Sequence, residues 1–168
     1  HGMSFTPANI NLSAAELELV AALMREMRLK NALGTVLDKY DYILIDCPPS
    51  LGILSVVSLV AATHVLVPIQ CQFKSFQGTD LLLKTVARLR KGANPSLAIA
   101  GFIPTMYDAR TAQESRTYEA IKEQLSPLAT VFDPIPKTIA FADASEARLP
   151  LAITNPKHPA IRVMKKIT

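Results

Sequence analysis

Short apolar runs alternate with longer amphipathic stretches along most of this chain. Runs typical of buried strands cover residues 42–46, 64–70, 97–105 and 130–133. Apolar residues recur at helical spacing over residues 51–62, 78–91, 112–125 and 140–147. Strands and helices that alternate in this order favour a parallel sheet wrapped on both faces by helices. The pattern therefore predicts an α/β fold.

A first helix is predicted from its own start signal. Residues 13–16, Ser-Ala-Ala-Glu, form a capping box, in which the serine hydroxyl and the glutamate carboxylate satisfy free amide groups at a helix start. One apolar stripe then recurs at helical spacing, with Leu17, Val20, Met24 and Met27. A second helical stretch is expected near Gly34 and ends around Asp38, and residues 160–166 suit a short last helix after Pro159.

Candidate site residues stand where the predicted strands end. They are Asp46, Gln70, Cys71, Thr105, Asp108, Pro136 and Lys137. Ligands of open α/β sheets bind beyond the carboxyl ends of the strands, so we expect these residues to gather at one edge. Asp46 follows an apolar run and precedes the rigid pair Pro48-Pro49, a placement that suits a carboxylate orienting a water on Mg²⁺. The alternative is that Asp46 only caps the following turn.

Composition narrows the class of protein. With 168 residues, 49% of them apolar, the chain has the size and the core of one domain. No apolar run is long enough to span a bilayer and no leader pattern is present, so we expect a cytoplasmic location and no membrane partner.

Cys47 and Cys71 lack a CxxC or His/Cys pattern, which favours two packing thiols over a disulfide or metal site. A net charge of +4 permits contact with nucleic acid without establishing it.

Residues 41–52, DYILIDCPPSLG, resemble the Walker B region of the ParA/Soj partition ATPases, which are relatives of MinD. Four more segments resemble the same family in the same order: PANINLSAAELELV, VLVPIQCQF, TMYDARTAQE and DPIPKTIAFADASEARLPL. They cover nearly the whole chain after residues 1–3, which resemble a tag remnant. Each motif alone is common, but five in sequence are specific. The resemblance implies a single P-loop NTPase-like, Rossmann-like α/β domain over residues 4–168.

The resemblance further implies ATP and Mg²⁺ as cofactors of the intact family, with Asp46 as the Walker B aspartate that binds Mg²⁺ through water. The family's phosphate loop, KGGxGK[ST], follows its first strand, and no GxxxxGK[ST] pattern occurs between His1 and Thr168. We therefore expect a C-terminal portion of a partition ATPase, without the first strand and the P-loop. We expect it to hold neither cofactor by itself and to be inactive. The sequence leaves open whether such a shortening is natural or engineered.

Residue roles follow from the same resemblance. A nucleotide-base region corresponds to Thr105, Met106, Asp108, Pro136 and Lys137. A segment that switches with nucleotide state corresponds to residues 70–78, with Gln70, Cys71, Gln72 and Gly78. In that segment two family acids are glutamine and one tyrosine is lysine; an altered response and neutral drift are both open, and drift is favoured. Lys137 keeps the charge of the family's IPR arginine without its planar fork, and Asp143 replaces a family glutamate.

Basic residues predict a surface for DNA phosphates. The candidates are Lys84, Arg88, Arg90, Lys91, Arg110 and Arg116. Lys84, Arg88 and Lys91 share one helix face by their spacing. The alternative is a solvated face whose charges suit a helix C-terminus, but the family, whose dimers coat DNA without reading its sequence, favours the DNA surface. The first helix, with Glu16 and Glu18, corresponds to a dimer helix.

Two functions therefore compete. The first is a nucleoid-associated ParA-type ATPase of plasmid or chromosome partition, which dimerises with ATP, binds DNA non-specifically and is stimulated by a ParB-type partner. The second is a non-enzymatic module of the same fold that keeps the DNA face or the dimer helix. Iron–sulfur relatives form a third class, whose Gly-rich cysteine contexts Cys47 and Cys71 do not match. Absence of the central first strand leaves strand edges unpaired, so we also expect a homodimer or higher self-association.

Overall fold

The computed structural model describes residues 3–9 and 11–167, with the side chain of Ser13 outside the described set. Most of the predicted tag remnant, residues 1–3, thus lies outside the described residues. The chain divides into two compact units. One consists of His1–Thr63 and Val86–Leu97, and the other of His64–Thr85 and Ala98–Thr168.

The first unit is helical. Its helices are α1 (Asn11–Ala21), α2 (Arg28–Leu33) and α3 (Ile53–Ala61), with short 3-10 turns at Arg25–Met27 and Leu37–Lys39. The most buried element is α3, in which Val57, Leu59 and Val60 are buried. α3 confirms the helix predicted over residues 51–62. α2 and the 3-10 turn at Leu37–Lys39 confirm the second helical stretch near Gly34.

The predicted start of the first helix is wrong by two residues. α1 already includes Asn11, whereas the capping box placed the start at Ser13. The reason is an upstream hydrogen bond: the backbone N–H of Asn11 donates to Oδ1 of Asn9 at 2.9 Å. An asparagine oxygen satisfies a free helix amide as well as a serine hydroxyl does.

The predicted stripe also ends early. α1 stops at Ala21, and Met24 has a left-handed backbone with φ of 51°, which cannot continue a right-handed helix. Met27 consequently lies in a separate 3-10 turn. Leu17 and Val20 are 76% and 62% exposed, so this stripe is not part of the unit's core.

The second unit contains the sheet. Strands β1 (His64–Gln70) and β2 (Ala98–Thr105) run parallel, with His64 opposite Ala98, Gln70 opposite Thr105 and a register shift between Val65 and Leu66. The helices are α4 (Phe73–Arg90), which continues into the first unit, and α5 (Ala112–Leu125), α6 (Ala140–Glu146), α7 (Leu151–Thr154) and α8 (Pro159–Met164). The parallel pair and the helices confirm the predicted α/β class. α4 begins at Phe73, five residues before the predicted helix start at Gly78. Gly78 is exposed inside the helix and does not interrupt it.

Two predicted strands do not form. Residues 42–46 make no backbone hydrogen bond within the described chain, and Tyr42 and Leu44 are 87% and 90% exposed. A strand needs a neighbour for its amide and carbonyl groups, and no described residue supplies one here. Residues 130–133 pair with β2 as an isolated bridge between Val131 and Phe102 and not as a strand, and Pro134 has no N–H with which to extend it.

Two apolar clusters hold the second unit together. The larger consists of Val67, Ile69, Cys71, Phe102, Ile121 and Leu125, with Leu82 and Leu83 of α4 packed against it. Each fully buried side chain of this size stabilises the fold by about 1.5–3 kcal/mol. The smaller cluster joins α6, α7 and α8 through Ala144, Leu151, Ala160 and Ile161.

Within the described residues, none of the helices has the length and apolarity needed to cross a membrane.

Candidate functional site

The carboxyl ends of β1 and β2 lie side by side, as predicted for the site. Gln70 and Thr105 are register partners at the ends of the two strands. One residue further, the backbone N–H of Cys71 donates to the carbonyl of Thr105 at 2.9 Å. The start of residues 70–78 is therefore bonded to Thr105, the first of the residues for which a nucleotide-base role is predicted.

The loop after β2 is bonded to residues 135–137. The backbone N–H of Tyr107 donates to the carbonyl of Ile135 at 3.1 Å, and that of Lys137 donates to the carbonyl of Tyr107 at 2.9 Å. Met106 takes a left-handed backbone with φ of 56°, which is unfavourable for a residue with a side chain and needs surrounding contacts to hold it. The structure thus brings Thr105, Met106, Asp108, Pro136 and Lys137 together, as the sequence predicts.

The carboxylate of Asp108 accepts three hydrogen bonds at this edge of the sheet. They come from Nε and Nη2 of Arg110 at 2.9 and 2.8 Å, and from the Arg110 backbone N–H at 3.0 Å. These bonds lower the pKa of Asp108 to about 2, and the positive charge of Lys137 acts in the same direction. Arg110 is thus paired within the loop, although its side chain is 90% exposed.

Glu114 belongs to this site, and sequence reasoning missed it. Its Oε2 accepts a hydrogen bond from the backbone N–H of Asp108 at 2.5 Å. The available signal was an acid in the first turn of α5, which usually serves only the helix dipole. Its loop contact depends on the path of the chain between β2 and α5, which periodicity does not reveal.

The two cysteines differ. Cys71 is fully buried in the larger cluster, as expected of a packing thiol, and burial together with the charge of Glu114 raises the pKa of its thiol to about 11. Cys47 is exposed, which corrects the prediction of two buried thiols. The cause is the unpaired run before it, because a residue that follows an unpaired segment has no sheet to pack against.

Asp46 lies in the helical unit and is exposed. It makes no hydrogen bond or ion pair within the described part of the chain, including any to the following turn. Across the described residues, no three His, Cys, Asp or Glu side chains are grouped so that they could hold a metal ion. One carboxylate does not by itself fit a magnesium site. The expected gathering of Asp46 with the strand-end residues stays a prediction.

The remaining candidates are at the surface, with one exception. Lys84, Arg88 and Arg90 are exposed on α4, Lys91 follows its last residue, and Arg116 is exposed on α5. Gln72 and Gly78 are exposed as well, and so is Glu18 on α1. Glu16 instead packs at the start of α3, where its Oε1 would lie 2.9 Å from a Cβ placed on Gly52.

Comparison with known proteins agrees with this architecture. A family model described as an AAA domain matches residues 1–99. An uncharacterized protein of Mycobacterium tuberculosis is 43% identical over 156 residues, which are 92% of this chain and 48% of that protein. The chromosome-partitioning ATPase Soj of Treponema pallidum is 40% identical over 168 residues, which are 99% of this chain and 66% of Soj.

Solved structures resemble it too. Cobyrinic acid a,c-diamide synthase from Mycobacterium smegmatis superposes with a TM-score of 0.78 at 32% identity, over 95% of this chain and 58% of that one. The same enzyme with bound ATP analog and magnesium gives a TM-score of 0.71 at 34% identity, over 90% and 63% of the two chains. This likeness confirms the P-loop NTPase-like fold.

The matches define the class of protein. The chain belongs to the ParA/MinD class of P-loop ATPases, within the AAA domain family whose model matches more than half of it. The chain spans about half to two thirds of the length of the curated relatives named above, 48% and 66% respectively.

Proposed function

We propose that this chain supplies the Walker B and nucleotide-base portion of a ParA-type ATPase that partitions chromosomes or plasmids. The observation that carries the proposal is 40% identity, over 99% of this chain, to a relative named as a chromosome-partitioning ATPase. The hydrogen bonds that hold residues 105–110 next to residues 135–137 at the strand ends support it, because ligands of this fold class bind at that edge. In the cell, the protein acts in the cytoplasm at the nucleoid with a ParB-type partner.

The 168-residue chain by itself does not hydrolyse ATP in this proposal. Phosphate contact in P-loop enzymes comes from a Gly-rich loop, its lysine and a helix N-terminus, and no GxxxxGK[ST] pattern is present in the sequence. Asp46 alone supplies one exposed carboxylate. We expect phosphate release from Mg-ATP by the purified chain to equal the background of a matched Asp46→Ala preparation. Turnover that Asp46→Ala abolishes would overturn this part of the proposal.

DNA binding is proposed to use the basic residues of α4. Lys84 and Arg88 are exposed, and Lys91 follows the helix end. Cations of this kind neutralise phosphates without reading bases, so the affinity should fall linearly with the logarithm of salt concentration. A gel-shift titration across salt measures this slope for the unmodified chain.

The test compares two charge-matched double variants. Arg88→Ala with Lys91→Ala should flatten the slope by about 0.9 for each phosphate that the variant no longer neutralises. Arg28→Ala with Lys30→Ala removes the same two charges from exposed positions of α2 and should leave most of the affinity. Equal slopes for the two variants would show that α4 is not part of the DNA interface. The affinity would then depend only on the total charge of the chain.

A non-enzymatic DNA-binding module is the second candidate. The observation that favours it is the exposed basic face of α4, with Lys84 and Arg88. Binding of the chain to DNA without any nucleotide would support the module, whereas binding that requires an added ATP-loaded partition ATPase would support the first proposal.

A further inference from the structure

Residues 133–138 form a segment that carries Lys137, one of the residues predicted to lie near a nucleotide base. The backbone of this segment is bonded to β2 and to the loop after it. The N–H of Ile135 donates to the carbonyl of Pro104 at 2.8 Å, and the N–H of Lys137 donates to the carbonyl of Tyr107 at 2.9 Å. A second set of contacts attaches the same segment to α8.

His158 makes the first of these contacts through both nitrogens of its ring. Its Nδ1 accepts the backbone N–H of Ala160, in the first turn of α8, at 3.1 Å. A neutral imidazole that accepts at Nδ1 carries its proton on Nε2. Nε2 lies 3.3 Å from the hydroxyl oxygen of Thr138 and therefore donates to it.

Thr138 extends this contact to α6. Its hydroxyl oxygen also accepts the backbone N–H of Ala140, the first residue of α6, at 3.2 Å. A hydroxyl oxygen has two lone pairs and can accept both bonds. Thr138 and His158 are both half-buried, so water competes less for these bonds than it would at the surface. One imidazole thus supports the start of α8 directly and the start of α6 through a single hydroxyl.

Two further contacts join the segment to α8 and the residues after it. Ile135 packs against the smaller apolar cluster, to which Ile161 of α8 belongs. Nζ of Lys166 lies 2.8 Å from Oδ2 of Asp133. Both members of this ion pair are exposed, and exposed pairs contribute little. The apolar contact and the bond from His158 therefore provide most of the attachment.

We propose that His158 is a positioning residue, which holds Lys137 next to Tyr107 through its bond to Thr138. In this way α8 sets the geometry of the loop at the strand ends. The role of Lys137 near a nucleotide base rests on the proposed function, whereas the attachment rests on the hydrogen bonds of His158 and Thr138.

The first test measures amide hydrogen exchange by NMR in the full 168-residue chain. Thr138→Val replaces the hydroxyl by a methyl group and removes the bond to His158. Exchange at the Lys137 amide should rise about twofold to tenfold, the range expected when one ordinary hydrogen bond is lost. Thr138→Ser keeps the hydroxyl and should restore most of the protection. Equal exchange at Lys137 in Thr138→Val and in the unmodified chain would overturn the proposal.

Thr111→Val is the matched control for this substitution. Thr111 is half-buried and precedes α5, and its side chain makes no capping hydrogen bond there. The same change from hydroxyl to methyl should therefore leave exchange at Lys137 unaltered. A rise equal to that of Thr138→Val would show a general effect of the substitution and would also refute the positioning role.

The second test separates the cap of α8 from the bond to Thr138. In His158→Asn the asparagine oxygen can still cap the helix, but the side chain is too short to reach Thr138. The Ala160 amide should stay protected while exchange at Lys137 rises. Protection at Lys137 equal to that of the unmodified chain would show that His158 only caps α8.

The third test needs no stable variant of the site, because it reads the ring of the unmodified chain. At neutral pH the ¹⁵N shifts of His158, assigned by comparison with His158→Asn, should show the proton on Nε2 and none on Nδ1. A proton on Nδ1 is incompatible with acceptance of the Ala160 amide and would overturn the proposal.

These readouts stand apart from the proposed function. Failure of the ATP or DNA experiments would leave the exchange and ring-nitrogen results intact. Failure of the His158 tests would leave the family and its DNA-binding proposal unaffected.

Discussion

Asn94 is a buried amide with three hydrogen bonds. Its Nδ2 donates to the carbonyls of Leu59 at 2.9 Å and Ala62 at 2.7 Å, and its Oδ1 accepts from the hydroxyl of Ser96 at 3.0 Å. The two carbonyls lie at the C-terminal end of α3, where backbone oxygens lack partners within the helix. A single side chain therefore closes this end of the helix.

Replacement of Asn94 should be destabilising. Asn94→Ala removes both donors and leaves the carbonyls of Leu59 and Ala62 without them, and each buried unsatisfied group costs about 1–3 kcal/mol. We expect urea unfolding to show a loss of at least about 1 kcal/mol on that basis. Asn31→Ala, at an exposed helical position, is the control and should stay within about 0.5 kcal/mol of the unmodified chain. Equal effects of the two changes would contradict the role of Asn94.

Cys71 makes the stability depend on alkaline pH. The pKa of its thiol is about 11 in the folded chain, above the ordinary value of 9.0. Below pH 9 both the folded and the unfolded states keep the proton, so the thiol has no effect. Between pH 9 and 11 the unfolded state loses the proton first, so the free energy of unfolding falls as pH rises.

The difference in pH dependence between two variants measures this effect. Cys71→Ala should lack the decline, so its curve should flatten relative to the unmodified chain by about 2 kcal/mol or less between pH 9 and 11. Cys47→Ala, which removes the exposed thiol, should keep the decline. Parallel curves for the unmodified chain and Cys71→Ala would contradict the raised pKa.

At the scale of elements, the close approach of residues 130–132 to β2 depends on one glycine. Gly101 lies in β2, where a Cβ would lie 2.5 Å from the Phe132 ring and 2.8 Å from the carbonyl oxygen of Thr130. This closeness lets residues 130–132 reach β2 and make the bridge at Phe102, where the backbone N–H of Phe102 donates to Thr130 at 2.8 Å. A side chain at position 101 would force the two segments apart.

Two glycine-to-alanine changes should therefore act in opposite directions. Gly101→Ala is expected to lose about 1–3 kcal/mol of stability through overpacking of a buried position. Gly78→Ala, inside α4 with nothing within 4 Å of the added Cβ, should gain up to about 1 kcal/mol because alanine favours a helix. Thermal unfolding of the two variants compares them directly, and a stable Gly101→Ala chain would contradict the close approach.

The elements show which signals are local. β1 and α5 have the bounds that periodicity predicts, residues 64–70 and 112–125, since each forms with its buried face on one core cluster. Periodicity also predicts a strand over residues 42–46, and that prediction is wrong. The apolar pattern reports a preference for burial, whereas a strand also requires a hydrogen-bonding neighbour.

At the scale of the whole molecule, unpaired apolar backbone favours self-association. Residues 42–45 make no backbone–backbone hydrogen bonds in the described chain, and within it β1 pairs with β2 alone. Unpaired strand edges and exposed apolar side chains are templates for pairing with other chains. We expect light scattering to show a mass above that of the monomer that rises with protein concentration.

Charge placed on this segment should oppose the association. Tyr42→Lys with Leu44→Lys puts two charges on the two most exposed side chains of the run and should shift the chain towards monomer. Asn31→Lys with Gln77→Lys adds the same charge at exposed helical positions and should leave the association in place. A clean monomer for the unmodified chain at every concentration would contradict the prediction.

Sequence alone determined the family and the parallel α/β order, because motif order and periodicity are properties of neighbouring residues. The roles of the strand-end residues stay a prediction. Only the tertiary structure decided that Arg110 is bound to Asp108, that Glu114 accepts a hydrogen bond from the Asp108 backbone, and that residues 42–46 stay unpaired within the described chain. Each of these outcomes depends on whether a distant part of the chain supplies a partner for a hydrogen bond or a charge. A local pattern does not contain that information.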